Sequence, residues 1–351
     1  MDGAIDHQGQ VTSFGALPFL AADIGGTHAR IACVRVARGS GSGFDVLAYR
    51  EFACADFAGP EELLRAFIEA DVHGVIRRCV LACAGQPLGD GVLNDNLAWP
   101  IHVARLRRSL GFDDVATLND FEALAWALDG IADGSGRLLC GPAGRVDGPA
   151  LVIGPGTGLG AAVRLRRRTG DCVLPTEAGQ MDFAPVTPVE REVLAYLSPN
   201  GGYVAYERIV SGPGLLVLYT ALCELSGKSP RLSSPEAVTA AASASSDAQA
   251  AEAFGIFAAA LGSFAGSLAM TFMAAGGVYL AGGFLSAVFD LLQQSRFRER
   301  YLHANSVRAF LARVPVRVIE HGRYGVLGAA RWYVGHRAAE PRQAAARGAA
   351  A

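Results

Sequence analysis

Two segments of this 351-residue chain follow one plan, and that echo restricts the fold more than any other feature. "LAADIGGTHARIACVRV" and "LVIGPGTGLGAAVRLR" each read as an apolar strand, a glycine-rich turn with a threonine, and a second strand. The two threonines, Thr27 and Thr157, stand about a domain length apart. A chain this long can bury one or two cores, and a repeated device favours two. Between and after the turns, strand signals alternate with helical ones. "PFLAAD" and "ARIACVRV" precede the helix "PEELLRAFIEA", then come "CVLACA" and "DVATL". "NDFEALAWAL" follows, with Phe121, Leu124, Ala125 and Leu128 at helical spacing. The fold class is therefore α/β. The smaller domain is expected over 17–130, completed by 321–337, where "RYGVLGAARWYV" makes a returning helix. The larger domain is expected over 131–320, with disordered tails at 1–16 and 338–351.

Composition sets bounds on function. Hydrophobic residues make up 51% and charged ones 18%, which is globular composition. Net charge is −2, and the arginine clusters at 105, 107 and 108 and at 164 and 166–168 are short. They read as solvated faces, so no nucleic-acid partner is expected. Seven cysteines are scattered through apolar contexts without CxxC spacing, which suits reduced thiols and gives no structural metal site. The first residues, "MDGAIDHQGQVTSFG", have no secretory pattern. The long uncharged run from Ala253 to Phe289 exceeds what flags a membrane span. It is rich in Ala, Gly and Ser and broken by glycine pairs, so it reads as a buried helix (253–274), a strand (278–280) and a further helix start. A cytoplasmic protein without membrane contact is the expectation.

The glycine turns carry the chemistry. Glycine at a strand end lets backbone amides approach an anion, and Thr27 and Thr157 add hydroxyl donors. Neither turn is a Walker loop. "GPGTGLGA" contains GxGxxA, but "AAVRLRRR" continues it as a strand where a dinucleotide fold needs a helix. Two such turns, the first led by Asp23, indicate phosphate binding. A carboxylate among phosphate-directed amides makes sense if Mg²⁺ lies between them. Asn119-Asp120 has two readings: a plain helix cap, or a ligand group at the carboxyl end of a strand. "PTEAGQMDFAP" and "YERIVSGPG" read as loops. Their Glu177, Gln180 and Glu207 are either solvated or, with Asn119 and Asp120, the lining of a cleft for a polyhydroxylated ligand.

Taken in order, "ADIGGTHAR", "NDFEALA", "GPGTGLG", "EAGQMDFAP", "ERIVSGPGL" and "VYLAGG" resemble the bacterial glucokinase family of the actin-like ATPase (ribonuclease H-like) superfamily. The resemblance spans about Phe19 to Tyr333. It implies two α/β domains with an interdomain cleft, ATP and Mg²⁺ as cofactors, glucose as acceptor, a place at the first step of glycolysis, and a homodimer. Asp120 matches the catalytic base. Asn119, Glu177 and Glu207 match sugar ligands, with Gln180 at the position of the family's histidine. Ala22, Asp23, Ile24, Gly25, Gly26 and Thr27 match the first nucleotide-binding segment. Gly156, Thr157 and Gly158 match the second, and Gly282 and Gly283 the adenosine contact. Asp23 matches the Mg²⁺-associated carboxylate, acting through water. The family's EGGH is here Glu177-Ala178-Gly179-Gln180, and His28 replaces its asparagine. Ala178 is strained if the backbone there needs positive φ. Gln180 removes a histidine bond to sugar and points to weaker or broader sugar selection. Alternatives are a kinase for another hexose or a catalytically weak sugar sensor.

Overall fold

The computed structural model describes residues 17–37, 43–93, 97–131, 136–144, 146–167, 170–320 and 322–348. The expected tail at 1–16 lies outside them, as does Arg168 of the second arginine cluster. The chain divides into two compact units, Met1–Ala132 with Gly322–Ala351, and Asp133–His321.

The first unit is built on a five-stranded sheet of order β3-β2-β1-β4-β7. Its strands are β1 (Phe19–Ile24), β2 (His28–Val36), β3 (Phe44–Ala53), β4 (Arg78–Cys83) and β7 (Asp114–Asn119). A small hairpin, β5 (Gln86–Leu88) and β6 (Gly91–Leu93), follows β4. β1 to β3 form an antiparallel meander, whereas β1, β4 and β7 are parallel. Both faces are covered. Leu20, Ala22 and Ile24 pack with α1 (Pro60–Asp71) and α2 (Val103–Leu110). Phe19 and Ala21 pack with α3 (Asp120–Ala127) and the C-terminal helix Tyr324–Gly348. Cover on two sides is why "PFLAAD" is a continuous apolar run and does not alternate. The C-terminal helix extends well past the 323–334 stretch that its sequence signals.

The second unit repeats the plan. Its six-stranded sheet has the order β11-β10-β9-β12-β13-β8. These are β8 (Arg137–Cys140), β9 (Ala150–Pro155), β10 (Leu159–Leu165), β11 (Cys172–Thr176), β12 (Gly277–Ala281) and β13 (Val316–Ile319). β9, β10 and β11 make the antiparallel meander, and β12 and β13 continue in parallel from β9. The main helices are α4 (Pro188–Leu197), α5 (Gly212–Leu225), α6 (Pro235–Ser243), α7 (Ala248–Thr271) and α8 (Gly283–Ala287). α6 starts as its sequence signals, with the Ser234 hydroxyl accepting from Ala237 N–H at 3.2 Å and Pro235 in the first turn.

α7 is long and apolar enough to cross a membrane, but 78% of its most apolar stretch is buried within this unit. Its small residues serve close packing: a methyl on Gly262 would lie 2.3 Å from the Phe297 carbonyl oxygen. The second arginine cluster is not wholly solvated. Arg164 is buried, 3.6 Å from Asp171, and Arg166 pairs with Asp147 at 2.8 Å. The cysteines are free thiols.

α3 and the C-terminal helix approach closely. A methyl on Gly328 would sit 1.8 Å from the Ala123 carbonyl oxygen. Gly328→Ala should therefore cost about 1–3 kcal/mol, read as a lower urea midpoint.

Candidate active site

The ends of β1, β4 and β7 are aligned: Ile24 pairs with Cys83, and Cys83 with Asn119. The first glycine turn and Asp120 therefore leave the same sheet edge two strands apart, roughly 10 Å at the spacing of neighbouring strands. The turn Gly25-Gly26-Thr27 links β1 to β2. It is closed by Gly25 N–H on the His28 carbonyl at 3.0 Å and braced by Cys54 N–H on the Thr27 carbonyl at 2.8 Å. Gly26 and Thr27 are exposed, and among the described residues no acceptor engages their amides. Ala22 and Ile24 are wholly buried in the core beneath.

Asp23 is only 3% exposed. Its Oδ2 lies 3.6 Å from the Arg30 guanidinium, and a methyl on Gly325 would come within 2.8 Å of it. The first turn of the C-terminal helix thus rests on this carboxylate, where the helix dipole favours negative charge. Mg²⁺ takes one or two carboxylates together with phosphate oxygens and water. Asp23, turned inward, fits such an ion through water and does not fit direct coordination. Among the described residues no metal-holding group of three or more His, Cys, Asp or Glu side chains occurs.

Asn119 caps α3. Its Oδ1 accepts from Phe121 N–H at 2.9 Å and Glu122 N–H at 3.1 Å, while Nδ2 donates to the Gly85 carbonyl at 3.0 Å. The capping reading of Asn119 is thus realised in the fold. Asp120 is half-buried at the first position of α3, and its Oδ1 accepts from the same Phe121 N–H at 2.9 Å. Cys83 lies at the end of the intervening strand. Burial first, then the charges of Asp120 and Asp23, push its thiol well above the ordinary range.

In the second unit, Gly156-Thr157-Gly158 joins β9 to β10 and is closed by Gly156 N–H on the Gly158 carbonyl at 2.8 Å. Gly212 N–H donates to the Gly156 carbonyl at 2.8 Å, fixing the start of α5 beside the turn. Gly282, with φ of 140°, follows β12 against the Pro155 carbonyl, and Gly283 opens α8. The turn and the Gly282-Gly283 pair thus leave neighbouring strand ends.

The two segments read as loops are partly ordered structure. "PTEAGQMDFAP" begins in β11 and continues as a 3-10 turn, Ala178–Gln180; "YERIVSGPG" holds a second, Tyr206–Arg208, and the start of α5. Asp182 bridges to Ala205, which holds the segments side by side. Glu207 Oε2 accepts from Leu159 N–H at 2.8 Å, and Oε1 accepts from Gln180 Nε2 at 3.2 Å. Glu177 is exposed immediately before the first 3-10 turn. Ala178 does not have positive φ, so the strain anticipated there is absent. The demanding position is Gly179, where a methyl would lie 2.1 Å from the Leu159 carbonyl oxygen.

Across the chain, residues 20–336 match the profile of the family described as "Glucokinase". The chain belongs to the glucokinase family. It is 41% identical to a glucokinase-like protein of Xylella fastidiosa, over 91% of this chain and 96% of that one. It is 37% identical to a glucokinase of Hahella chejuensis, over 89% and 95% respectively. The crystal structure of a glucokinase from an Antarctic psychrotroph is similar at a TM-score of 0.77 and 29% identity, covering 90% of this chain and 98% of that one.

Sequence reasoning missed Gly85, Tyr203 and Gly325, which touch the site through distant parts of the chain. Gly325 and Gly328 had a local signal, two glycines three apart in a helical run. Asn119→Ala should cost about 1–2 kcal/mol in denaturant unfolding, because a helix cap is lost. A loss of activity without that cost would overturn its structural role.

Proposed function

We propose that this chain transfers the terminal phosphoryl group of ATP to the 6-hydroxyl of glucose, as a cytoplasmic enzyme of the glucokinase family. The observation that carries the residue roles is the shared strand edge from which the first glycine turn and Asp120 both emerge. In this reading Asp120 takes the proton of the 6-hydroxyl as that oxygen bonds to phosphorus and the bond to ADP breaks. Asn119, Glu177, Gln180 and Glu207 orient the sugar. The amides and hydroxyls of Gly25–Thr27 and Gly156–Gly158 hold the phosphates, and Gly282-Gly283 lies against the nucleoside. Mg²⁺, when bound with the nucleotide, neutralises charge on the phosphates, and Asp23 orders its water. Phosphoryl transfer draws mainly on such positioning and charge neutralisation.

Asp120→Asn should lower kcat about 10²–10⁴-fold, the usual worth of a general base, with glucose binding nearly unchanged. A coupled ADP-release assay measures the first and calorimetry the second; unchanged turnover would overturn the assignment.

The engagement of Gln180 by Glu207 and Tyr203 favours a second reading, a kinase whose preferred hexose is not glucose. A panel of hexoses in the same assay distinguishes the two by the highest kcat/KM.

A further inference from the structure

α4 opens with a capping box, in which the Thr187 hydroxyl accepts from Glu190 N–H at 3.2 Å and the Glu190 carboxylate reaches back to Thr187 N–H at 3.1 Å. Two features exceed what a cap needs. Glu190 Oε2 also accepts from Val186 N–H at 2.6 Å, and Oε1 accepts from Arg300 Nη1 at 2.6 Å. Both side chains are shut away from solvent, with Glu190 1% and Arg300 3% exposed. Arg300 comes from the short helix Phe297–Tyr301 and donates through Nε to Ser263 Oγ on α7 at 3.0 Å. Its Nη2 is buried without an acceptor among the described residues. Two charges taken out of water, with one donor unmet, add little stability that apolar side chains of similar volume could not supply. What the pair holds in place explains it better.

It holds the end of the segment that carries Glu177 and Gln180. That segment runs from the 3-10 turn Ala178–Gln180 to the two amides at 186 and 187 that Glu190 engages. On the way, the Met181 carbonyl accepts from Tyr206 N–H at 2.9 Å, and Phe183 N–H donates to the Val204 carbonyl at 2.8 Å. The Tyr206 hydroxyl is hydrogen-bonded to the Ala184 backbone, within reach of the charges of Arg300 and Glu190. Its ring packs on Phe183 at 5.5 Å and on Phe264, the neighbour of Ser263 in α7, at 5.2 Å. The buried pair thus lies behind both segments, one bearing Gln180 and the other Glu207.

We propose that Glu190 and Arg300 are positioning residues for sugar binding, acting through the amides of Val186 and Thr187. The inference rests on the reading that Glu177, Gln180 and Glu207 hold the sugar. The guanidinium fixes the carboxylate, and the carboxylate fixes the two amides. Glu177 and Gln180 are thereby ordered before the sugar arrives, and affinity gains from that order.

Two double variants separate positioning from stability, because neither leaves a buried charge. Glu190→Gln with Arg300→Met keeps an oxygen for the two amides; Glu190→Leu with Arg300→Met does not. Calorimetry on the full chain should find glucose affinity within about twofold of wild type in the first. In the second it should be weaker by about three- to tenfold, the worth of one misplaced hydrogen bond. MgADP affinity should stay within about twofold in both. Equal glucose affinities in the two variants would overturn the proposal. So would parallel losses of glucose and MgADP, because the pair would then only hold the unit together. A further readout needs no variant to fold. Coupling is reciprocal, so saturating glucose should slow hydrogen exchange at the Val186 and Thr187 amides of the wild type by the same three- to tenfold, roughly; unchanged exchange rejects the coupling. Glucose binding and glucose-dependent ADP release by the wild type are measured alongside. Absence of both sinks the sugar reading itself, whereas their presence with the wrong variant pattern sinks the positioning role alone.

Discussion

Everything at the candidate site follows from the register of parallel strands. Because Ile24, Cys83 and Asn119 sit level across β1, β4 and β7, the segments leaving those strands emerge side by side. A shift of a single residue in that ladder would turn every side chain to the other face of the sheet and carry Asp23 away from Gly325. The buried faces hold the register: Leu20, Leu81 and Phe67 on one side, Phe19, Val80 and Tyr333 on the other. Precision at the edge is therefore a property of the core beneath it. The second unit uses the same arrangement, with Gly282 placed against Pro155 by the pairing of β12 with β9.

Within this frame, adjacent residues share the helix start. Asn119 spends its side chain on two helix amides and the Gly85 carbonyl, and Asp120 accepts from one of the same amides, that of Phe121. Glu207 likewise ties Leu159 to Gln180, which couples the residue after a phosphate-type turn to the segment read as sugar-binding. The glycines at 158 and 179 have a steric reason. Methyls there would meet Glu207 Oε2 at 2.4 Å and the Leu159 carbonyl at 2.1 Å.

What was legible in the sequence was local. The strand–turn–strand segments, the Ser234 cap and the helix after Asn119 are each specified within a few residues, by turn glycines, capping side chains and apolar periodicity. The α7 segment could be told from a membrane span by its small residues and glycine breaks. Contacts between distant positions were not legible. Arg164 lies in a cationic run, yet it is buried with its guanidinium 3.6 Å from Asp171 on the loop before the next strand. Tyr203 carries no motif, and only the bridge between Asp182 and Ala205 brings it to Gln180. Ala178 looked strained when set against a family pattern, but the backbone conformation that would strain it is absent.

The contact of Gly325 with Asp23 joins residues from opposite ends of the chain. A ribosome makes Asp23 well before the helix carrying Gly325, with all of the second unit made in between. The nascent first unit must wait with one face of its sheet only partly covered, by α3, while the inserted unit has its complete sequence and can fold as a body of its own. Completion of this strand edge therefore waits until the second unit has been made, and a product cut short before Gly322 would lack the helix that lies against the buried Asp23 carboxylate.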